Sequence, residues 1–113
     1  MGERQLLGEV EQLVLLAILR LGDGAYAVPI REEIRRHGGV ALSRGTIYVT
    51  LDRLERKGYL RSWFDDPTPE PGGKARRCFA LERDAVAALR AARRRLERLQ
   101  AGTVLAQGRG QKP

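Results

Sequence analysis

The segment from Leu6 to Leu21, LLGEVEQLVLLAILRL, constrains this chain more than any other. Leu6, Val10, Leu13, Ala17 and Leu21 fall on one stripe at helical spacing, so the segment predicts a first helix. Leu15, Leu16, Ile18 and Leu19 then fill much of the remaining circumference. A helix apolar almost all round is buried on more than one side. The chain has 113 residues, enough for one domain with a single modest core. Such a domain offers too little protein to cover both sides of this helix. Part of it is therefore expected to face a second subunit, with Leu6, Val10 and Leu13 in a homodimer interface. The longest apolar run, Leu13 to Leu19, is far short of the ~20 residues that span a bilayer, so no membrane partner is expected.

Downstream, the pattern changes four times. Gly22 and Gly24 stop the first helix, and a second is expected from about Ala27 to Arg36. Pro29 suits its first turn, Val28, Ile30 and Ile34 supply its core side, and Gly38-Gly39 ends it. A third helix is expected after Ser43, an N-cap residue, ending at Lys57-Gly58, with Ile47, Leu51 and Leu54 in the core. Two helices so joined form a helix-turn-helix. Tyr59 to Asp65 and Lys74 to Leu81 then read as strands, with Leu60, Phe64, Phe79 and Leu81 inward. Between them, DPTPEPGGK is too rich in Pro and Gly for either regular structure, so the pair forms a hairpin, or wing. A last helix from about Ala85 to Gln100 carries Leu89, Ala92, Leu96, Leu99 and Thr103 at three-four spacing, a short coiled-coil seam assigned to the dimer interface. Two heptads are marginal alone and need the first helix, their own or a partner's, to pack against.

The fold class is thus mainly α with a small β-hairpin. Residues 1–81 are expected to form a winged helix-turn-helix domain of the DNA-binding kind, its N-terminal helix also in a dimer interface, with 82–101 a C-terminal dimerisation helix and 102–113 a disordered tail.

Charge points in the same direction. The net charge is +7, which favours acidic partners. Up to Tyr26 the chain carries Glu3, Glu9, Glu11 and Asp23 against Arg4 and Arg20, so the excess lies over the helix-turn-helix and wing. Most of the basic residues are Arg, which grips phosphate and guanine bidentately, although a GC-rich genome gives the same bias. A recognition helix needs an apolar stripe beneath and short polar or basic residues near its N-terminus. Ser43, Arg44, Gly45, Thr46 and Tyr48 meet that description. Gly45 lets the backbone approach a phosphate, and the helix N-terminus attracts one. Asp52 and Glu55 sit badly beside DNA and are expected to pair with nearby Arg side chains such as Arg56. On the wing, Lys74, Arg76 and Arg77 can lie along the minor groove or its phosphates. The run Arg93-Arg94-Arg95 reads as solvated surface.

Catalytic patterns are absent. His37 is the sole histidine and Cys78 the sole cysteine, so neither a metal cluster nor an intramolecular disulfide is expected, and no cofactor. With no such pattern the chain is not expected to be an enzyme, and with no basic stretch and small-residue cleavage site at its start it is expected to be cytoplasmic.

Taken with their spacing, the segments LVLLAILRLGDGAYAVPIREEIRR, LSRGTIYVTLDRLERKGYLRS and PTPEPGGKARRCFALERDAVAALRAARRRLERL resemble the PadR family of winged-helix regulators. The likeness runs from about Glu9 to Leu99. Its most specific part is Gly45-Thr46-Ile47-Tyr48 followed by Leu51, Leu54, Lys57, Gly58 and Leu60, then the Gly72-Gly73-Lys74 wing tip. The resemblance implies a dimer built from the N- and C-terminal helices, with two recognition helices in successive major grooves. It implies repression, often relieved by a small molecule. Tyr48 matches the family's tyrosine in the recognition helix, and Lys74 with Arg76 its basic wing. The chain departs from the pattern at Ala27 and Pro29, and at Glu82 to Val86, which replaces a Thr-Pro-Ala-Gly start, so the last helix is expected to begin later. That helix is short and lacks an aromatic residue to stack a flat effector, leaving a small-molecule effector unsupported.

The expected activity is that of a sequence-specific repressor on double-stranded DNA. Arg44, Tyr48, Val49 and Arg53 are assigned to the major groove, Ser43 and the Gly45 backbone to phosphates, and Lys74, Arg76 and Arg77 to the minor-groove edge. Two alternatives stay open at this stage: a winged-helix module for protein assembly, and non-specific nucleoid binding.

Overall fold

The structure, a computed structural model, describes residues 6–65 and 75–107. Its elements run α1 (Glu9–Leu21), β1 (Ala25–Tyr26), α2 (Ala27–Glu33) passing into a π-helical turn (Ile34–Gly38), α3 (Arg44–Arg56), β2 (Leu60–Phe64), β3 (Arg77–Leu81), α4 (Arg83–Gln100) and α5 (Val104–Gln107).

The first helix begins three residues later than its apolar pattern suggests. Glycine is a poor helix former, and the Gly8 N–H instead donates to the Glu11 carboxylate at 2.8 Å, closing the first turn from outside. Leu6 is left exposed ahead of it. The buried face is also not the expected stripe. Val14, Leu15, Ala17 and Ile18 are buried, Val10 and Leu13 half-buried, and Leu16, Leu19 and Leu21 exposed. On a helix apolar all round, periodicity cannot choose the inner face. The choice is made by what packs there, including Lys57 of the α3 terminus, whose Nζ meets Glu11 Oε1 at 3.0 Å and Oε2 at 2.8 Å.

A strand escaped the pattern altogether. Residues Ala25 and Tyr26 pair antiparallel with Phe79 and Cys78, giving a three-stranded sheet in the order β1-β3-β2. Two residues carry no readable alternation. Their pairing places β3 in the centre, where Cys78, Phe79 and Ala80 are all buried. Burial pushes the Cys78 thiol above its ordinary pKa, with the nearby Asp65 carboxylate adding to the shift; thiolate reactivity is suppressed there.

Helix α2 buries Ala27 and Ile30, and Ile34 follows in the π turn, but Val28, expected on the core side, is 60% exposed. The third helix follows its sequence cues closely. Ser43 Oγ accepts from Thr46 N at 3.1 Å, and Ile47, Leu51 and Leu54 are buried. At its end Gly58, with φ at 87°, lets Gly58 N–H reach Glu55 O and Tyr59 N–H reach Leu54 O, both at 3.0 Å. That doubled bond is a Schellman cap. Thr50 is also buried, its hydroxyl satisfied by Thr46 O at 2.7 Å.

The wing strands pair from Leu60↔Leu81 through Ser62↔Phe79 to Phe64↔Arg77. Leu60 is buried, yet Phe64, expected inward beside it, is 67% exposed. The phase of the alternation is right, but the hairpin has by then run past the helices that would cover it. Leu81 is half-buried.

Helix α4 starts at Arg83, earlier than expected, because Glu82 O already accepts from Ala85 N at 2.9 Å. Leu89 and Ala92 of the expected dimer seam are buried within the chain itself. From Arg93 to Leu99 every residue is exposed, Leu96 at 54% and Leu99 at 79%. The expected disordered tail from residue 102 begins instead with α5, where Thr103 Oγ1 accepts from Leu105 N at 3.2 Å. Residues 108–113 of that tail lie outside the described residues. Among the described residues no helix is long and apolar enough to cross a membrane.

Candidate nucleic-acid interface

Helix α3 buries one side and offers the other. Arg44, Gly45, Thr46, Tyr48, Val49, Arg53 and Arg56 are exposed. Of these, Gly45 is informative for a steric reason. A Cβ built there meets nothing nearer than Ser43 Oγ at 3.9 Å, so nothing inside the chain requires glycine. Glycine within a helix costs about 1 kcal/mol relative to alanine, and here it leaves the start of α3 without a side chain on its exposed surface. The Ser43 hydroxyl, expected at a phosphate, is instead occupied by the cap, lying 3.0 Å from Thr46 Oγ1 as well as accepting from Thr46 N.

The two acids on α3 are neutralised from an unexpected direction. Arg77 of β3 donates through Nη1 to Asp52 Oδ1 at 2.9 Å and through Nη2 to Glu55 Oε1 at 2.6 Å. Its Nε lies 3.2 Å from Ser62 Oγ, and Ser62 Oγ itself donates to Glu55 at 2.9 Å. The guanidinium also stands 5.0 Å from the Phe79 ring centre. Burial alone would lower the Arg77 pKa, but the bonds to Asp52 and Glu55 outweigh it and hold the group above its ordinary value. Arg77 was expected along the minor-groove edge and Arg56 beside the acids. The structure ties Arg77 to α3, locking both wing strands to the recognition helix, and gives Arg56 no carboxylate among the described residues.

Arg76 points the other way. It is exposed, lies 4.5 Å from the Tyr26 ring centre and has no carboxylate partner among the described residues. It lines a cleft of about 440 Å³ between α3 and the wing, together with Tyr48 and the exposed Val28 and Phe64. Lys74, with Gly72 and Gly73, lies outside the described residues.

Some arginines are paired within the chain and others are not. Arg20 pairs with Glu33, Arg35 and Arg36 with Glu32, Arg61 with Glu82, and Arg77 with Asp52 and Glu55. Arg44, Arg53, Arg56 and Arg76, on or beside α3 and the wing, have no carboxylate within ion-pair distance among the described residues, and neither have Arg31 of α2 and the six arginines of α4. The α3–wing face therefore carries uncompensated positive charge, ready for anions supplied from outside.

The network makes a prediction. Arg77→Ala frees the wing and bares Asp52 and Glu55 beside the bound phosphates, so DNA affinity should fall by about tenfold or more. Adding Asp52→Asn should recover part of it. Equal affinities for wild type and Arg77→Ala in a titration of duplex DNA would remove this role.

A helix-turn-helix followed by a hairpin, with the second helix outward and basic, defines a winged helix-turn-helix domain, a DNA-binding class. The family model described as "Transcriptional regulator PadR-like family" matches residues 15–91, more than half of the chain. The chain belongs to that family and is a DNA-binding transcriptional regulator. Solved structures agree on the fold. A transcriptional regulator from Clostridium thermocellum is 20% identical, with 88% of this chain and 92% of that one covered and a TM-score of 0.70. A PadR family regulator from Clostridium difficile R20291 is 21% identical, with coverage of 87% and 98% and a TM-score of 0.67. One from Eggerthella lenta DSM 2243 is 24% identical, with coverage of 90% and 88% and a TM-score of 0.67. No curated protein matches by sequence.

Proposed function

We propose that the chain is a homodimeric, cytoplasmic repressor that occupies an inverted-repeat operator in double-stranded DNA. The observation that carries this reading is the set of arginines without carboxylates on the α3–wing face, Arg44, Arg53 and Arg76 foremost. Arg44, Tyr48, Val49 and Arg53 enter the major groove, and the start of α3 at Gly45 and Thr46 approaches a phosphate, with Ser43 capping the helix behind them. Arg76, with Lys74, lies along the minor-groove edge, while Arg77 holds the wing in place. Val10 and Leu13 are half-covered and Leu89 and Ala92 covered within the chain. The dimer surface therefore rests on Leu6, Leu16 and Leu19 at the α1 end and on Leu96 and Leu99 of α4.

Selection of binding sites from random duplexes tests the reading directly. The selected sequence should be an inverted repeat with half-sites one helical turn, ~34–36 Å, apart. On that site Arg44→Ala should cost about 1–3 kcal/mol and relax preference at one base pair of each half-site. Tyr48→Phe should cost about 0.5–1.5 kcal/mol, the worth of one hydrogen bond. Arg76→Ala should weaken all sequences about equally and lower the salt slope by roughly one unit. If Arg44→Ala leaves affinity and preference intact, α3 is not the reading element, and a protein-assembly role for the same surface gains.

A further inference from the structure

We propose that the cleft between α2 and the start of α3 is a seat for one backbone phosphate of bound DNA, held chiefly by Arg31. The proposal rests on the DNA-binding reading above and adds to it a residue outside the groove-facing side of α3.

Arg31 is exposed on α2, and its Nε donates to Leu42 O at 2.6 Å, in the segment leading to Ser43. One donor is thus spent on orienting the plane, and the terminal nitrogens remain for a ligand. A guanidinium fixed in this way loses little freedom when an anion binds, and its fork suits phosphate oxygens. Glu32 attracts it through space, but both neighbouring acids are bound to other cations. Glu33 is taken by Arg20 at 2.6 Å and lies 3.4 Å from His37, and Glu32 is taken by Arg35 with Arg36 at 3.6 Å. Among the described residues no carboxylate lies within ion-pair distance of Arg31.

Across the cleft, of about 210 Å³, stands Arg44, also without a carboxylate, with Tyr48 one turn further along α3. Ala27, Val28 and Ile47 complete the lining, so the walls offer two cations, a phenol and apolar carbon, with no acid. Cationic residues thus border the space on both the α2 and the α3 side. The position suits the backbone rather than the bases, because the first helix of a helix-turn-helix crosses the sugar-phosphate strand while the second enters the groove.

The test compares wild type, Arg31→Gln and Arg31→Lys on a mixed-sequence duplex and on the selected operator, each across a chloride titration. Arg31→Gln should weaken both duplexes by a similar factor, roughly tenfold, and lower the slope of log affinity against log salt by about one unit. Arg31→Lys should keep the wild-type slope, because it keeps the charge while losing the fork. A wild-type slope in Arg31→Gln overturns the proposal. So does a reduced slope in Arg31→Lys, which would place the loss in the Leu42 tether, or a loss confined to the operator, which would make Arg31 a base reader. Inorganic phosphate competing beyond chloride at matched ionic strength would make the cleft a free-anion pocket and overturn the assignment to DNA. If wild type binds neither duplex, the DNA-binding reading itself fails, and this seat with it.

Discussion

Lys57→Ala is expected to cost about 3 kcal/mol of stability and to lower the melting temperature by roughly 10–20 °C. The side chains of Lys57 and Glu11 are only 14% and 6% exposed, and both Glu11 oxygens lie within 3.0 Å of Nζ. Removing the ammonium leaves a buried carboxylate whose one remaining partner among the described residues is the Gly8 N–H. Breaking one side of such a pair costs more than the pair contributes, because the desolvated charge stays behind. Glu11→Gln in the Lys57→Ala background should therefore restore much of the loss, since an amide oxygen still accepts from Gly8. Thermal melts of the two single variants and the double close a mutant cycle. A double variant no more stable than Lys57→Ala would mean that the cost lies in packing between α1 and the end of α3 and not in the stranded charge.

That pair also shows where sequence reading stops. Lys57 was legible as part of a helix end, because Ser43, Gly58 and the Ile47-Leu51-Leu54 stripe act within a few residues of one another. Local chemistry of that kind survives without knowledge of the fold. Glu11 and Lys57 stand 46 residues apart, and nothing in either neighbourhood announces the other. Arg77 is the same case at the interface. Its sequence context, beside Arg76 and after a glycine turn, reads as groove-binding, and only the sheet register brings it across to Asp52 and Glu55.

Val28 and Phe64 failed for a different reason. Periodicity assigns a side chain to a face but not to the part of that face that is covered. Both residues fall at the open end of the cleft between α3 and the wing. The outward side of α3 was legible because its apolar stripe is narrow, so the remaining positions had to be solvent-facing or ligand-facing. In α1 the stripe is nearly a full circle, and its inner face was undetermined until α2, α3 and β3 were in place. The setting of Arg31 was not legible either, because it depends on Leu42 O, eleven residues away across a loop.

The exposed apolar side of α1 is also what the proposed dimer would cover, and Leu96→Asp is the substitution that tests it. In the single chain, α4 is anchored by Ala85, Leu89 and Ala92, then runs uncovered from Arg93 to Leu99. Leu96 and Leu99 stand on the same side of that arm, while Leu16 and Leu19 of α1 are likewise exposed. Burying each leucine against a second copy contributes about 1.5–3 kcal/mol, and a two-fold axis counts every contact twice. An aspartate at position 96 places a charge in the centre of that surface while touching nothing in the chain's own core. The variant should keep its helical content, sediment as a monomer at micromolar concentration, and lose operator affinity by about 10²–10⁴-fold, because the second half-site no longer binds intramolecularly. Its affinity for a single half-site should stay near that of wild type. A Leu96→Asp protein that remains dimeric and holds the full operator as tightly as wild type would place the subunit contact elsewhere and leave the exposed arm of α4 without a partner of its own kind.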